Sequence, residues 1–146
     1  MLWDILKTIA STDAEEYQGK EGIRRISNLG KFYLHLLSTQ SAPITILKSL
    51  SFTSLSPLQT LFCQLVVGGV LSFNPEDSKA EKRIKDIFSK SREATEEFRE
   101  GLSFFISQYM SPKSDIVVVG VPETLDRAVL KTRVKFAKTV LAGRNI

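Results

Sequence analysis

The longest regular alternation of apolar and polar positions runs from Ile23 to Leu50. Ile23, Ile26, Leu29, Tyr33, Leu36 and Leu37 recur at helical spacing, and Phe32 widens their stripe. Arg24, Asn28, Lys31, His35 and Ser38 step round the opposite face at the same period. Ser41 and Pro43 then mark a second helix start, because a hydroxyl caps free amides and proline suits a first turn. That second helix carries Ile44, Leu47, Lys48 and Leu50. The stretch reads as a helical hairpin so apolar that the rest of the chain is expected to pack around it.

The same pattern extends in both directions. Residues 2–10 predict a helix with Leu2, Ile5, Leu6 and Ile9 on one side, and Ser11 to Gly22 a polar, acidic connection. Ser56 and Pro57 open a helix from Leu58 to about Leu71, whose band of Leu58, Leu61, Phe62, Leu65 and Val66 implies a buried central element. Within it, Gly68-Gly69 either admits a close neighbour or frays the end, and Asn74-Pro75 breaks it. Ser78 to Glu81 fits a capping box, followed by a short helix with Ala80, Ile84, Ile87 and Phe88 inward and Lys79, Lys82, Arg83 and Lys85 outward. Arg92 to Met110 reads as one long helix with Phe98, Leu102, Phe105 and Tyr109 as its core stripe, broadened by Phe104 and Ile106. In it, Gly101 signals tight packing and Pro112 the end. Ile116 to Val121 is β-branched, but no second strand-like segment pairs with it, so it predicts an extended loop over an apolar groove. A last helix opens at Pro122, turns Leu125, Val129, Phe136 and Val140 inward, and ends at Gly143. The expected fold is all-α: six to seven helices in antiparallel pairs, a HEAT-like superhelix.

Composition changes this picture little. The chain has 146 residues, 42% of them hydrophobic and 25% charged, enough for one domain with its own core. The single cysteine, Cys63, lies in an apolar run and reads as a small buried hydrophobe; alone it forms no intramolecular disulfide, which suits a nuclear or cytosolic setting. No secretory leader is expected in Met1 to Ala10, and Leu58 to Phe73 is too short and too interrupted for a membrane span. Charge is more informative. The net charge of +4 is concentrated after residue 122, where Arg127, Lys131, Lys135 and Lys138 share one outer stripe.

Catalytic chemistry finds no foothold. There is no phosphate loop or glycine-rich fingerprint, and one histidine with one cysteine cannot supply a zinc site. His35 has no carboxylate near it in sequence and reads as an exposed or partner-facing side chain. The chain is therefore expected to be a non-enzyme without cofactor, metal or small-molecule substrate. Two candidate surfaces remain: the polar stripe Arg24, Asn28, Lys31, His35, and the basic stripe Arg127, Lys131, Lys135, Lys138. The second could neutralise phosphates of RNA, although no aromatic residues interleave it for base stacking.

A family resemblance adds an expectation of function. Asn28-Leu29, the His35-Leu36-Leu37 triplet and Ile46-Leu47-Lys48, separated by a short polar corner, resemble the later part of an MA-3 domain, a helical-repeat module. Leu2 to Asp4 and Arg99 to Met110 resemble the nucleolar branch of that family more than its splicing branch. The resemblance assigns residues 1–115 to the C-terminal part of an MA-3 domain and leaves 116–146 as an extended loop plus a basic C-terminal helix. It implies a nucleolar scaffold that accompanies an initiation-factor-4G-like middle domain. Such a scaffold works with a DEAD-box RNA helicase of the initiation factor 4A type in maturation of small-subunit (18S) pre-ribosomal RNA. The middle domain and the first MA-3 helices have no counterpart here, so no contact residues carry over. The alternatives are a spliceosomal scaffold of the same family, a basic helical RNA-binding module, and a structural end-cap of a longer solenoid.

Overall fold

The pairing of two helices through glycine sets the architecture. In a computed structural model, residues 19–72, 79–112, 118–122 and 124–143 are described. The expected helix at 2–10, the Asn74-Pro75 break and Ser78 of the capping box lie outside them. The described residues are all-helical, without strands: α1 (Gly19–Ser38), α2 (Pro57–Leu71), α3 (Ala80–Ser89), α4 (Glu96–Phe105) and α5 (Arg127–Leu141). Three shorter turns join them: 3-10 turns at Ile44–Ser49 and Lys90–Glu93, and a π-helical turn at Ile106–Met110.

α2 is the centre. None of its side chains from Leu58 to Leu71 is exposed, and Phe62, Cys63, Val66, Val67, Val70 and Leu71 are fully covered. Ser56 starts the helix by a reciprocal box: its hydroxyl accepts from the Gln59 amide, and the Gln59 side chain accepts from the Ser56 amide. α1 packs along α2 more extensively than any other pair does. A Cβ built on Gly30 would sit 3.2 Å from Cβ of Leu65, and one on Gly69 would overlap the Leu34 side chain. Residue 30 thus meets 65 and residue 34 meets 69, so the helices run in the same direction where they touch. The expected partner of α1 is the helix after Ser41; α1 packs most extensively on α2 instead. The returning chain from Thr39 to Ser56 carries the apolar 3-10 turn.

That turn is the second correction. Ile44, Leu47 and Leu50 are buried and spaced by three, the period of a 3-10 helix rather than of an α-helix. Three β-branched residues in a row, Ile44 to Ile46, further disfavour the α form. Ser41 does not cap it; its hydroxyl pairs with that of Thr39 at 2.8 Å. α1 itself begins at Gly19, inside the expected loop, and ends at a left-handed Gln40 (φ 61°), with the Ser41 amide bonded to the Leu36 carbonyl.

The expected helix from Arg92 to Met110 is divided. Lys90–Glu93 is a 3-10 turn, and α4 starts at Thr95, whose hydroxyl accepts from the Phe98 amide. Phe98, Leu102 and Phe105 form the core stripe, and Gly101 lets the Phe52 ring approach α4 closely. The π-helical turn then adds a residue to the last round. Ile106 and Met110 point into the core, while Tyr109 is 36% exposed and lies against the Phe105 ring.

The expected extended loop Ile116 to Val121 is described only from Val118 on. There the chain turns rather than extends, the Val121 amide donating to the Val118 carbonyl at 3.2 Å, and this turn lies as a strap against α2. Val118 and Val121 pack on the core, and Gly120 (φ +90°) presses its backbone onto Gln64 and Gly68. α5 begins at Asp126, not Pro122; the aspartate accepts from the Ala128 amide. Leu130, Val134, Ala137, Val140 and Leu141 put α5 in the same core as α2. Five α-helices among the described residues stand against six to seven expected, because one lies outside them and one is the 3-10 turn.

These contacts rank substitutions. Gly120→Ala should cost most, about 2–4 kcal/mol, because left-handed strain adds to a backbone overlap. Gly68→Ala should cost roughly 1–3 kcal/mol despite its better helix propensity, since the obstacle is Gly120 backbone 2.8 Å away. Gln40→Gly should gain about 0.5–1 kcal/mol. Urea denaturation of the three variants measures the order, and a stabilised Gly68→Ala would contradict it.

Candidate partner-docking surfaces

The core face of α1 is Ile26, Gly30, Tyr33 and Leu37, stepping by four, three and four. Arg24, Asn28, Lys31 and His35 stand directly opposite, and all four are exposed. The sequence-derived polar stripe is thus one solvent face. The apolar stripe is narrower than expected: Phe32 is 56% exposed and Ile23 49%. Phe32 stands one turn from Asn28, Leu29, His35 and Leu36, so a bare ring borders the polar face. It touches the buried Tyr33 edge-on, with centroids 5.4 Å apart, and Tyr33 in turn meets Phe62 of α2 at 5.9 Å. An aromatic relay therefore joins this outer face to the central helix.

The basic stripe of α5 is placed less simply. Arg127, Lys131 and Lys135 are exposed, whereas Lys138 is half-buried. Lys138 lines a groove of about 500 Å³ between α4 and the end of α5, with Leu141 beside it and Glu96, Glu100 and Phe104 across it. Lys138 is thus the member of the stripe that shares a groove with carboxylates. Lys79, Lys82, Arg83 and Lys85 of α3 are exposed as expected. A second groove, of about 770 Å³, runs between the 3-10 turn and the start of α4. Leu50, Phe52 and Phe98 floor it, and Lys48, Glu93 and Glu97 stand around it.

Sequence reasoning missed Arg133. Only 4% exposed, it lies among the inward residues of α5 and donates from Nη1 to the Leu71 carbonyl at 2.9 Å. That carbonyl belongs to the last turn of α2, where no intrahelical amide is left to serve it. Burial lowers the Arg133 pKa and the charge of Glu81 raises it in opposition; a guanidinium keeps its proton through this. α5 is therefore stapled to the end of α2 by a charged hydrogen bond. The only signal was an arginine at an inward position between Leu130 and Val134.

Cys63 is a core residue, and burial pushes its thiol up to about 12. Among the described residues, no three His, Cys, Asp or Glu side chains gather where they could share a metal ion. Nor is any described helix long and apolar enough to cross a membrane. No family model, curated protein or solved structure matches the chain.

Two measurements follow. Arg133→Met should cost about 1–3 kcal/mol by leaving the Leu71 carbonyl unserved; equal stability would show that the staple is dispensable. A thiol whose folded pKa lies above its unfolded one favours the fold while protonated. Its contribution is whole below the unfolded value near 9 and is lost as pH rises toward about 12. Stability of the wild type relative to Cys63→Ala should therefore fall by up to roughly 1.4 kcal/mol per pH unit across that window. Chemical denaturation at stepped pH reads the difference.

Proposed function

We propose that this chain is a non-catalytic docking domain, the later part of an MA-3-type helical module with HEAT-like stacking of its helices. In this reading it belongs to a nucleolar scaffold that works with a DEAD-box RNA helicase in maturation of small-subunit ribosomal RNA. The observation that carries the docking reading is the outer face of α1. A large ring, Phe32, is presented to solvent beside Asn28 and His35 on a helix whose other face is fixed in the core. An exposed aromatic bordered by polar groups is what a protein interface uses as an anchor. The helicase rests on the resemblance of Asn28 to Phe52 to the MA-3 pattern and the nucleolar setting on that of Leu2 to Asp4 and Arg99 to Met110, with a spliceosomal scaffold as the alternative. The basic-module reading draws less support, because Lys138 faces Glu96 and Glu100 across a groove.

The test is calorimetric titration with a purified DEAD-box helicase of the initiation factor 4A type. Phe32→Ser combined with His35→Ala should weaken binding at least tenfold while moving the melting temperature by no more than a few degrees, since both side chains are exposed. Wild-type binding unchanged by the pair would remove α1 as the docking face, and no binding by the wild type would remove the helicase.

A further inference from the structure

Two rows run side by side along the outer half of α1. Arg24, Asn28, Lys31 and His35 step by four, three and four, and all are exposed. One position round the helix, Leu29, Phe32 and Leu36 step by three and four. Phe32 is 56% exposed, while Leu29 and Leu36 are half-buried and rest on the core. From Arg24 to His35 the rows extend about 16 Å at the α-helical rise. The charge of this face has one sign. Glu21, in the first turn, is the one carboxylate of α1, and the chain holds no Asp or Glu from Gly22 to Pro75. α2, the helix on which α1 packs most, therefore supplies none either. Beyond its first turn, α1 and its main neighbour offer Arg24 and Lys31 no counter-charge.

Resting on the reading of α1 as a docking face, we propose that the partner segment it accepts is an acidic amphipathic helix. Such a helix carries apolar side chains along one stripe and carboxylates along the adjoining one. Laid lengthwise on α1, it covers Leu29, Phe32 and Leu36 with the first and sets the second against Arg24 and Lys31. A helix fits because both rows keep helical spacing along one axis. An extended strand turns alternate side chains to opposite faces and matches one row at a time. A second copy of the chain meets the same two cations and is repelled. A nucleic acid matches the cations and stacks at most one base on Phe32, leaving Leu29 and Leu36 without a contact. The acidic helix is the occupant that matches both rows. Charge pairs at an exposed rim contribute specificity and speed of association more than affinity, so the ring holds the partner and the cations choose it.

Two labelled helical peptides read the preference: both carry a leucine stripe, flanked by glutamate in one and by lysine in the other. Fluorescence anisotropy with the full chain should show the glutamate peptide bound at least tenfold more tightly at low salt, with the gap closing at high salt. Arg24→Glu/Lys31→Glu should reverse the preference with helical circular dichroism intact, since both side chains are exposed. Phe32→Ser should weaken the glutamate peptide at least tenfold. Binding of neither peptide, equal binding of both, a preference that survives the charge reversal, or an oligouridylate that competes better than the unlabelled glutamate peptide would each overturn the proposal. A helicase of the initiation factor 4A type, titrated against the same variants, separates it from the reading it rests on. If Phe32→Ser weakens the helicase and the charge reversal leaves it unchanged, the docking face stands and the acidic partner falls. If the peptides reverse their preference and the helicase binds no variant, the acidic partner stands and the helicase falls.

Discussion

Close backbone approach on both sides of α2 is the constraint from which the rest follows. Gly69 admits the Leu34 side chain of α1 on one flank, and Gly68 admits the Gly120 strap on the other. Neither contact leaves room for a Cβ without movement. The first fixes α1 alongside α2 in the same direction, so the chain must return through Thr39 to Ser56. That return places the 3-10 turn and Phe52, which meets Phe98 and Phe105 of α4 at about 6 Å between ring centres. The second pins the segment that leads into α5, whose Arg133 then reaches the Leu71 carbonyl. Apolar burial supplies the bulk of the stability, as in any domain this size, but the glycines decide which helix lies where.

What the chain's pattern made legible was one-dimensional. The capping signals at Ser56-Pro57, the inward set Ala80, Ile84, Ile87, Phe88, the outward set on α3 and the burial of Cys63 all stand as read, because each depends on a single helix and its own period. The polar stripe on α1 is exposed for the same reason. Direction and neighbour were not legible. A short polar corner after α1 looks like a hairpin whether the next apolar run is a helix or a 3-10 turn. The three-residue spacing of Ile44, Leu47 and Leu50 held the distinction, and Thr95 before two glutamates held the true start of α4. The π-helical turn left no signal, since one inserted residue moves the inward position from Tyr109 to Met110 without changing composition.

The surfaces show the same division. Helical periodicity located both candidate stripes, yet it could not show that Phe32 stands free of the core or that the α5 cations end beside the α4 carboxylates. Those facts need two helices at once. The α1 face sets one exposed ring among polar groups, while the α4–α5 groove has Glu96 and Glu100 on one side and Lys138 on the other. Arg24 and Lys138 are similar in sequence terms and differ in what surrounds them.

Amide hydrogen exchange resolved by residue tests the central place of α2 most directly. If the glycine contacts organise the fold, amides from Phe62 to Val70 exchange only through global unfolding, with the slowest rates in the chain, and α1 and α5 open at lower free energy. An α2 that exchanges faster than α1 or α5, by local opening independent of denaturant, would contradict the account.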